Sequence, residues 1–590
     1  MRRDYVLGVA SETTSRRPTG RALPSVRPEL LTWIALAVLL LVAAVFLFHE
    51  TRGTTFWFDE WRWVLNRQGG DLDTFLEPHN EHLSLIPIAI YKVLFATAGL
   101  EHYGVYRAMV IAGHLTCAAL AFVYMSRRVG GVAALCGTAL LLFLGPGWQN
   151  IIWPFQIGWL ISLMAGIAAL LALDRGDRRG DVAASVLIGV SLASSGLGVA
   201  IALGALVEVA SVRRRWRDLW IVAMPLAPYA VWWLAYRPAG LVRSNIDQTF
   251  DFTAEAAAGT LSALAGLAGS GVPTGVDALQ WGRPLAVIAL VGLLWALGRR
   301  TSVPPRVRAL LTILLAFWVL TGLRRATYQD PDTSRYLYVG ALFVLLILAE
   351  LARGVSVTQR IAVVLAVAVA AATLSNAGTV RDAGRYLRSQ AEVARADLAA
   401  LELARNSLDP GYVAAHFPGA PFVSLRAGPY LAAASDYGSP AYSLAELIAA
   451  PEPARRVADA ELVRIHGVGP RAARSAPAPA LGASPEPLAV VGGTTTERRG
   501  CLQFRPAPVR AADAPPTLEL TVPRAGLLIR TSGAPAQVDV RRLAADYSSV
   551  TPNTVMPSAA ATLRIPSDSA PQPWRARISP QERVSVCALR

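Results

Sequence analysis

Long apolar runs with few formal charges succeed one another through the first 375 positions of this 590-residue chain. Most approach the roughly 20 residues that a helix needs to cross a bilayer. We place the predicted spans at 30–48, 106–125, 132–144, 153–173, 182–193, 197–212, 219–236, 284–297, 309–323, 336–351 and 361–374. The pattern therefore predicts a polytopic α-helical membrane protein with about eleven transmembrane helices.

Short arginine clusters separate these runs. They lie at 2–27, 127–128, 175–179, 213–217, 299–308 and 353–360. Such clusters mark cytoplasmic loops, and placing all six there requires an even number of crossings between neighbours, which the runs supply. The C-terminal part is then outside the cell membrane. Topology thus accounts for the formal net charge of +15, and we expect no nucleic-acid partner.

Residues 182–212 must hold two crossings in 31 residues. Both helices should therefore be short, and the turn Ser194-Ser195-Gly196 should lie below the outer surface. Irregular backbone at that depth is tolerated only where it is buried in protein or faces water, so we expect an outward-facing pocket. Gly-Pro-Gly at 145–147 favours another fold-back. The small apolar stretch 254–271 is interpreted as an external or surface helix.

The chain changes character after position 375. Residues 381–405 have a charged helical pattern, whereas 451–487 are rich in Ala, Pro and Arg, which is typical of a linker. Short alternating runs at 517–522, 527–531, 537–541, 562–565 and 584–589 predict β-strands. The predicted domains are a cytoplasmic tail at 1–29, a transmembrane domain at 30–375 with a first external loop at 49–105, an extracytoplasmic helical and linker region at 376–488, and an extracytoplasmic β-sandwich-like domain at 489–590.

Two of the four cysteines, Cys501 and Cys587, bracket the last domain. Outside the cell this pair can oxidise. The disulfide would close a loop of roughly 86 residues, which the chain-entropy model values at about 4–5 kcal/mol.

The first external loop holds acidic residues and histidines among aromatics, in the motifs Phe58-Asp59-Glu60-Trp61 and His79-Asn80-Glu81-His82. This order, followed by the apolar segment 83–99 and by Ser334-Arg335-Tyr336-Leu337-Tyr338, resembles the GT-C superfamily of integral membrane glycosyltransferases. Protein O-mannosyltransferases and the aminoarabinose transferases of lipid A have a similar layout over residues 30–375. One departure is His79-Asn80-Glu81-His82, where those transferases often have prolines after the histidine.

The resemblance implies inverting transfer of a sugar from a polyprenyl-phosphate donor to an acceptor on the outer face. Such a reaction needs a carboxylate base and a cation for the leaving phosphate. Asp59 is the candidate base, and Glu60 would orient it, help to bind a cation or cap a helix. The candidate phosphate ligands are Lys92, Arg335, Arg324 and Arg325. The alternatives are a helix cap or salt bridge for Asp59 and membrane anchoring for the arginines.

The same pocket is expected to be lined by His79, Asn80, Glu81, His82, Gln149, Trp153, Gln156, Ser195 and Tyr336. No cofactor is required by the sequence. A divalent cation held by Asp59, His79 and His82 is one alternative, since imidazole and carboxylate suit zinc or manganese. Hydrogen bonding at an interface is the other alternative for the two histidines.

The expected partners are a polyprenyl-phosphate sugar donor, membrane lipid, and a glycan, lipid or protein acceptor. A second hypothesis is a polytopic transporter or flippase for lipid or polysaccharide, which would carry charges in mid-membrane and paired inverted repeats. Glu208 is the one acidic residue well inside a predicted span. A third hypothesis, a scaffold with an external binding module, does not explain the acidic, histidine-rich loop.

Overall fold

The computed structural model describes residues 28–590, except 214–215, 239, 241, 270–271, 273–277, 356–357, 420–422, 474–479, 509–514 and 566–569. Nearly all of the predicted tail at 1–29, and part of the basic cluster at 213–217, lie outside the described residues. The first part of the chain is helical and the last part is a pair of β-sheets.

The helices up to residue 403 pack around a main apolar core and two smaller ones. They are α1 (Pro28–Glu50), α2 (Asp59–Asn66), α3 (Leu72–Leu76), α4 (Leu85–Ala98), α5 (Tyr103–Val129), α6 (Gly131–Leu142), α7 (Trp148–Ile152), α8 (Ile157–Leu173), α9 (Arg178–Ser194), α10 (Leu197–Arg213), α11 (Trp220–Tyr236), α12 (Thr249–Leu264), α13 (Ala278–Gly298), α14 (Pro305–Arg325), α15 (Ser334–Leu351) and α16 (Gln359–Leu403). The C-terminal helices are α17 (Ala427–Tyr437), α18 (Leu444–Ala449) and α19 (Glu452–His466).

Within the described part of the chain, eight helices are long and apolar enough to cross a membrane. A ninth crossing arises if α6 and the segment 145–152, which bend by 55° at the expected Gly-Pro-Gly break, form one span. The chain is a multi-pass membrane protein. The two remaining predicted crossings correspond to α9 and α10, each 17 residues long, so the count of eleven remains a prediction.

One end of the helical body carries a cluster of ion pairs. Arg128 at the end of α5 pairs with Glu350 at the end of α15 and, at 3.0 Å, with Asp174 beyond α8. Arg306 at the start of α14 pairs with Asp174 at 2.9 Å and with Glu208 of α10 at 2.6 Å. These ends, which lie in or beside the predicted cytoplasmic clusters, therefore meet on one side. The connection between α14 and α15 lies at the opposite end.

The interpretation of 254–271 as a surface helix is wrong. The helix, α12, begins at Thr249 and packs into the main core through Phe252, Ala256 and Ala263. A glycine of α15 permits this approach, because a Cβ at Gly340 would collide with the Thr260 hydroxyl. With 16 residues, α12 is shorter than the candidate spans.

Helix α16 joins the helical body to the C-terminal region. Its 45 residues make a rod of about 67 Å, which exceeds the roughly 30 Å of a bilayer's apolar core. The far part packs on the first loop: Ala394, Leu398 and Leu401 share a core with Trp61 and Tyr430. The C-terminal region therefore lies at the end of the body that carries the first loop.

The first part of the linker predicted at 451–487 is a helix, because alanines at 454 and 458 and Leu462 give α19 a buried face. The strands are β1 (Pro470–Ala472), β2 (Pro487–Val491), β3 (Gly493–Arg498), β4 (Cys501–Pro506), β5 (Thr517–Thr521), β6 (Leu527–Thr531), β7 (Ala536–Arg541), β8 (Ser548–Val555), β9 (Ala560–Leu563), β10 (Arg575–Pro580) and β11 (Val584–Ala588). The boundary drawn at 489 therefore falls after β1 and inside β2.

The strands form two antiparallel sheets, ordered β1-β9-β6-β11-β4-β3 and β2-β5-β10-β7-β8. Phe504 and Ile529 of one sheet share a buried core with Leu520 and Ile578 of the other, as in a β-sandwich. All five predicted strands are present. Cys501 and Cys587 face each other across β4 and β11 and form the predicted disulfide.

Candidate functional site

The loop between α1 and α4 is held by a fully buried carboxylate, Glu60. It accepts hydrogen bonds from the hydroxyls of Tyr91 at 2.7 Å and Tyr103 at 2.9 Å, and from the indole N–H of Trp153 at 3.1 Å. A fourth bond, from the backbone N–H of Trp57 at 3.1 Å, ties it to the start of α2. Glu60 is therefore turned away from the cavity described below and braces the loop.

Its neighbour Asp59, the first residue of α2, faces the other way, into a cavity of about 390 Å³. Phe58 before it has a φ of 49°, which aims the helix start at this cavity. Asp59 makes no cap, and its ion pair with Arg62 is long, at 3.8 Å. The structure thus shows no helix cap by Asp59, whereas the salt-bridge alternative is present as this long pair with Arg62.

Burial and nearby cations have opposite effects on the pKa of Asp59. Burial raises the pKa of this carboxyl above its ordinary value of 3.8, while the guanidinium groups of Arg335 and Arg62 and a hydrogen bond with Asn80 act to lower it. A carboxylate whose pKa is raised by burial is a better proton acceptor than one in water.

His79-Asn80-Glu81-His82 forms a two-residue hairpin turn. The backbones of His79 and His82 exchange two hydrogen bonds of 3.0 Å. Asn80 and Glu81 between them have φ of 47° and 65°, the left-handed pair of a type I′ turn. Such a conformation is unfavourable for glutamate and is found where surrounding contacts enforce it. The turn presents the side chains of Asn80 and Glu81 to the cavity.

Glu81 connects the first loop to the end of α14. Arg325 donates to it from Nη2 at 2.5 Å and from Nε at 3.1 Å, and Arg324 Nε lies 3.6 Å away. Arg325 also donates to the hydroxyl of Tyr336 at 3.2 Å. Residues 244 positions apart are thereby held at the same wall.

Arg335, the second residue of α15, also lines the cavity. Its Nη1 donates to Gln149 Oε1 at 3.2 Å, and its guanidinium lies near the Tyr336 ring. Gln149 itself is held by the Ser334 hydroxyl, which accepts from the Gln149 backbone N–H at 3.0 Å. Gln149 therefore positions Arg335 from behind the cavity.

The structure brings most of the predicted residues to one place. The cavity is lined by Asp59, His79, Asn80, Glu81, His82, Gln156, Ser195, Arg325 and Arg335. The Ser194-Ser195 turn is among its walls, so the pocket expected from the two short helices is present. Gln156 is almost fully buried, and its Oε1 accepts no hydrogen bond in the structure.

A second, more apolar cavity of about 280 Å³ adjoins the first. The two share Glu81, His82, Trp159 and Arg325 as lining residues. Arg324 and Tyr336 lie in its wall near this shared boundary, and the remainder consists largely of Leu197, Val199, Ala200, Tyr229, Trp233, Pro238, Phe317 and Leu320. A polar chamber and an apolar groove therefore meet at a pair of arginines.

Lys92 does not belong to this site. Its ammonium donates to the backbone carbonyls of Arg67, at 3.0 Å, Gln68, at 3.4 Å, and Gly69. These three bonds use the donor capacity of a lysine, so Lys92 closes the end of α2. Trp153 likewise does not line the cavity, because its ring is buried and its N–H donates to Glu60.

The ligand atoms of Asp59, His79 and His82 do not all lie within 4.8 Å of one another. Among the described residues, the one group of three metal-ligating side chains within 4.8 Å of each other lies elsewhere. His79 packs against the rings of Trp63 and Phe155, and burial holds its pKa well below the ordinary value. Burial and the nearby Arg325 lower the pKa of His82 to about 4. Both imidazoles are therefore neutral at pH 7.

Several lining residues have no signal in the sequence. Phe58, Phe155 and Trp159 supply aromatic walls, and Arg62, Tyr328 and Gln329 supply polar ones. Arg62 is the exception, because its i, i+3 spacing from Asp59 indicates the ion pair between them. It also donates to Asn80 Oδ1 at 2.8 Å. Tyr328 and Gln329 lie in the short α14–α15 connection, between the two arginine motifs already identified.

No protein family matches the chain, and no curated protein matches its sequence. Among solved structures, ArnT from Cupriavidus metallidurans bound to undecaprenyl phosphate is similar at 15% identity and a TM-score of 0.40, over 64% of this chain and 81% of ArnT. The arabinosyltransferase EmbB from Mycobacterium smegmatis is similar at 12% identity and a TM-score of 0.34, over 97% of this chain and 66% of EmbB. The arabinofuranosyltransferase AftD from mycobacteria is similar at 14% identity and a TM-score of 0.32, over 96% of this chain and 61% of AftD.

TM-scores below 0.5 assign no function, so the site is interpreted from its own geometry.

Proposed function

We propose that the protein is a membrane glycosyltransferase that moves a sugar from a polyprenyl-phosphate donor to an acceptor hydroxyl on the outer face. The supporting observation is that Asp59, Arg335 and Arg325 line one polar chamber that opens to an apolar groove at Arg324 and Arg325. A lipid-linked sugar phosphate has the same three parts in the same order: a polar ring, an anionic phosphate and an apolar chain.

In this proposal the polyprenyl chain lies in the groove and its phosphate lies at the shared boundary. Arg325 is already held by Glu81, so it contributes charge there. Arg335 and Arg324 have fewer hydrogen-bond partners and reorient more readily towards a phosphate. Guanidinium groups bind phosphate oxygens in a forked geometry, which favours the leaving phosphate as it separates.

Asp59 acts as general base. It takes the proton of the acceptor hydroxyl while the acceptor oxygen bonds to the anomeric carbon, and the bond from that carbon to the phosphate oxygen breaks, with inversion. Polyprenyl phosphate leaves with the bonding electron pair. Asn80 and Arg62 orient the carboxylate, and the unpaired Gln156 Oε1 is an acceptor for a sugar hydroxyl. Aromatic walls such as Trp159 suit the apolar face of a sugar ring.

The arginine clusters support the proposed outer-face location, because the helix ends beside them meet at the side opposite the chamber. The C-terminal sandwich, at the chamber side, is then extracytoplasmic. The transporter alternative loses its main support because Glu208 is paired with Arg306 in the ion-pair cluster.

The test is a transfer assay on purified protein with radiolabelled polyprenyl-phosphate sugars and membrane extract as acceptor source. Asp59→Asn should lower turnover at least 100-fold, within the usual range for a general base. Asp71→Asn, an exposed aspartate 12 positions later, is the matched control and should retain turnover. Full transfer by Asp59→Asn would contradict the proposed role, and lipid transport without sugar transfer would support the alternative.

A further inference from the structure

A second cluster of ionisable side chains lies outside the proposed active site, where α16 meets α19. Asp397 of α16, Glu461 of α19 and His416 from the intervening loop each bring one ligand atom within 4.8 Å of the others. Asp397 and Glu461 are completely buried, whereas the His416 side chain is 47% exposed.

Two buried carboxylates this close repel each other, and a cation or a proton between them relieves the repulsion. Glu461 accepts a hydrogen bond from the Tyr412 hydroxyl at 2.7 Å and weaker ones from the Ala415 backbone N–H at 3.3 and 3.4 Å. Both oxygens of Asp397 are buried with no hydrogen-bond partner. Arg464 is the nearest cation to act on Asp397, but it makes no ion pair with it within 4.0 Å. An unpaired buried carboxylate costs several kcal/mol.

We propose that Asp397, His416 and Glu461 bind a divalent transition-metal ion such as Zn²⁺ or Mn²⁺. One imidazole and two carboxylates are a ligand set that suits these ions. His416 Nδ1 lies 3.2 Å from Glu461 Oε2. Two ligands at zinc distances of 2.0–2.2 Å in a tetrahedral site are about 3.3 Å apart. The ion neutralises both carboxylates, and the exposed histidine side leaves room for water ligands.

The site is structural. Its ligands come from three separate segments, so the ion joins the rod of α16 to the loop 408–419 and to α19, on which the β-sandwich packs. It differs in position and in its ligands from the chamber around Asp59, so metal occupancy is measured independently of sugar transfer.

The experiment uses the full chain in detergent, stripped with EDTA and titrated with ZnCl₂ or MnCl₂. Bound metal is counted by mass spectrometry and thermal unfolding is followed in parallel. The stripped protein should take up one ion per chain at this site and unfold at a higher temperature when loaded. His416→Ala alters an exposed side chain, so it should fold while weakening metal affinity at least tenfold.

Asp397→Asn should also lose the ion, and its metal-free form should unfold at a higher temperature than metal-free wild type, because the repulsion from Glu461 is gone. The matched controls are His102→Ala, another exposed histidine, and Glu402→Gln, a carboxylate of the same helix that is satisfied by Tyr430. Both should bind metal as wild type does. Equal metal affinity in wild type and His416→Ala, or no uptake by the stripped wild type, would overturn the proposal.

Discussion

At the scale of single residues, adjacent carboxylates in one motif have different roles. Asp59 and Glu60 are neighbours at the start of a helix, so their side chains diverge by about 100°. One therefore enters the chamber and the other enters a cage of tyrosine and tryptophan donors. The motif alone indicated that both are important. Only the donors, which lie up to 93 positions away, assign the structural role to Glu60.

The structural role of Glu60 predicts that Glu60→Gln and Glu60→Ala have different effects on stability. Burial raises the pKa of this carboxyl to about 7 from 4.5, so the folded state binds the extra proton more tightly than the unfolded state does. The contribution of Glu60 to the free energy of unfolding is therefore fully present below pH 4.5. It is lost as the pH rises through 7, and the total loss is about 3 kcal/mol. Glu60→Gln should remove that pH dependence and keep activity, since an amide oxygen still accepts from Trp57 and Trp153.

Glu60→Ala should instead destabilise the loop by at least about 3 kcal/mol, because four donors lose their acceptor. Thermal unfolding of both variants between pH 5 and 8 measures the difference. Equal stability of the two variants at every pH would contradict the bracing role.

The raised pKa of Asp59 also predicts the acid limb of the rate profile. A base must be deprotonated to work, so kcat/KM should fall on acidification with a midpoint above 3.8. The kcat/KM for the donor should be measured against pH at a saturating concentration of acceptor. The control is Glu60→Gln, which lacks the second ionisable carboxyl of the motif. A midpoint at or below 3.8 would show that the reacting group is not a desolvated carboxylate.

At the scale of elements, the sequence predicted what depends on local pattern. The span cores, the Gly-Pro-Gly break and all five named strands follow from apolar periodicity and turn residues. The errors come from partners distant in the chain. The 451–487 segment has linker composition, yet α19 becomes a helix because its alanine face packs on α16 and the sandwich. Likewise α12 is weakly apolar but is covered by neighbouring helices.

Lys92 shows the same limit for a charged side chain. Its position at the predicted membrane surface suggested phosphate binding, whereas its ammonium is bound by carbonyls at the end of α2. Nothing in the local sequence around α4 indicates that contact.

Lys92→Met should therefore leave the donor dissociation constant within twofold of wild type. It should lower the unfolding free energy by about 1 kcal/mol, because three partly exposed hydrogen bonds are lost. Chemical denaturation and donor-lipid binding measure both quantities. A tenfold loss of donor affinity with unchanged stability would restore the phosphate-binding role.

At the scale of the whole molecule, the chamber and the ion-pair cluster lie at opposite ends of the same helices. Helix α14 runs from Arg306 in the cluster to Arg325 at the chamber, and α15 returns from Arg335 to Glu350. This geometry gives the proposed topology a direct test that is independent of chemistry.

Single cysteines at exposed Leu72, Leu488 and Ser302 should report sidedness, in a background with Cys117 and Cys136 replaced by alanine. An impermeant maleimide should label the cysteines at 72, beside the chamber, and 488, in the sandwich, on intact cells. The cysteine at 302, between α13 and α14, should be labelled only after permeabilisation. Labelling of the cysteine at 302, but not of the one at 72, on intact cells would show that the orientation is the reverse of the proposed one.

The disulfide should stabilise the sandwich and leave the chamber unaffected. Replacing both Cys501 and Cys587 by serine should lower the unfolding free energy of the sandwich by up to about 4–5 kcal/mol. Denaturation followed by Trp574, a buried tryptophan of this domain, measures the loss. A matched fall in chamber-dependent turnover at low temperature would contradict the separation of the two parts.

The central claim is that Asp59 does chemistry and Arg335 binds the donor phosphate in one chamber. The most direct measurement is the pair of quantities, turnover and donor dissociation constant, in Asp59→Asn and Arg335→Gln. We predict that Asp59→Asn loses at least 100-fold in turnover with donor affinity within threefold of wild type, and that Arg335→Gln weakens donor binding about tenfold or more. Wild-type turnover in Asp59→Asn, or unchanged donor affinity in Arg335→Gln, would contradict the account.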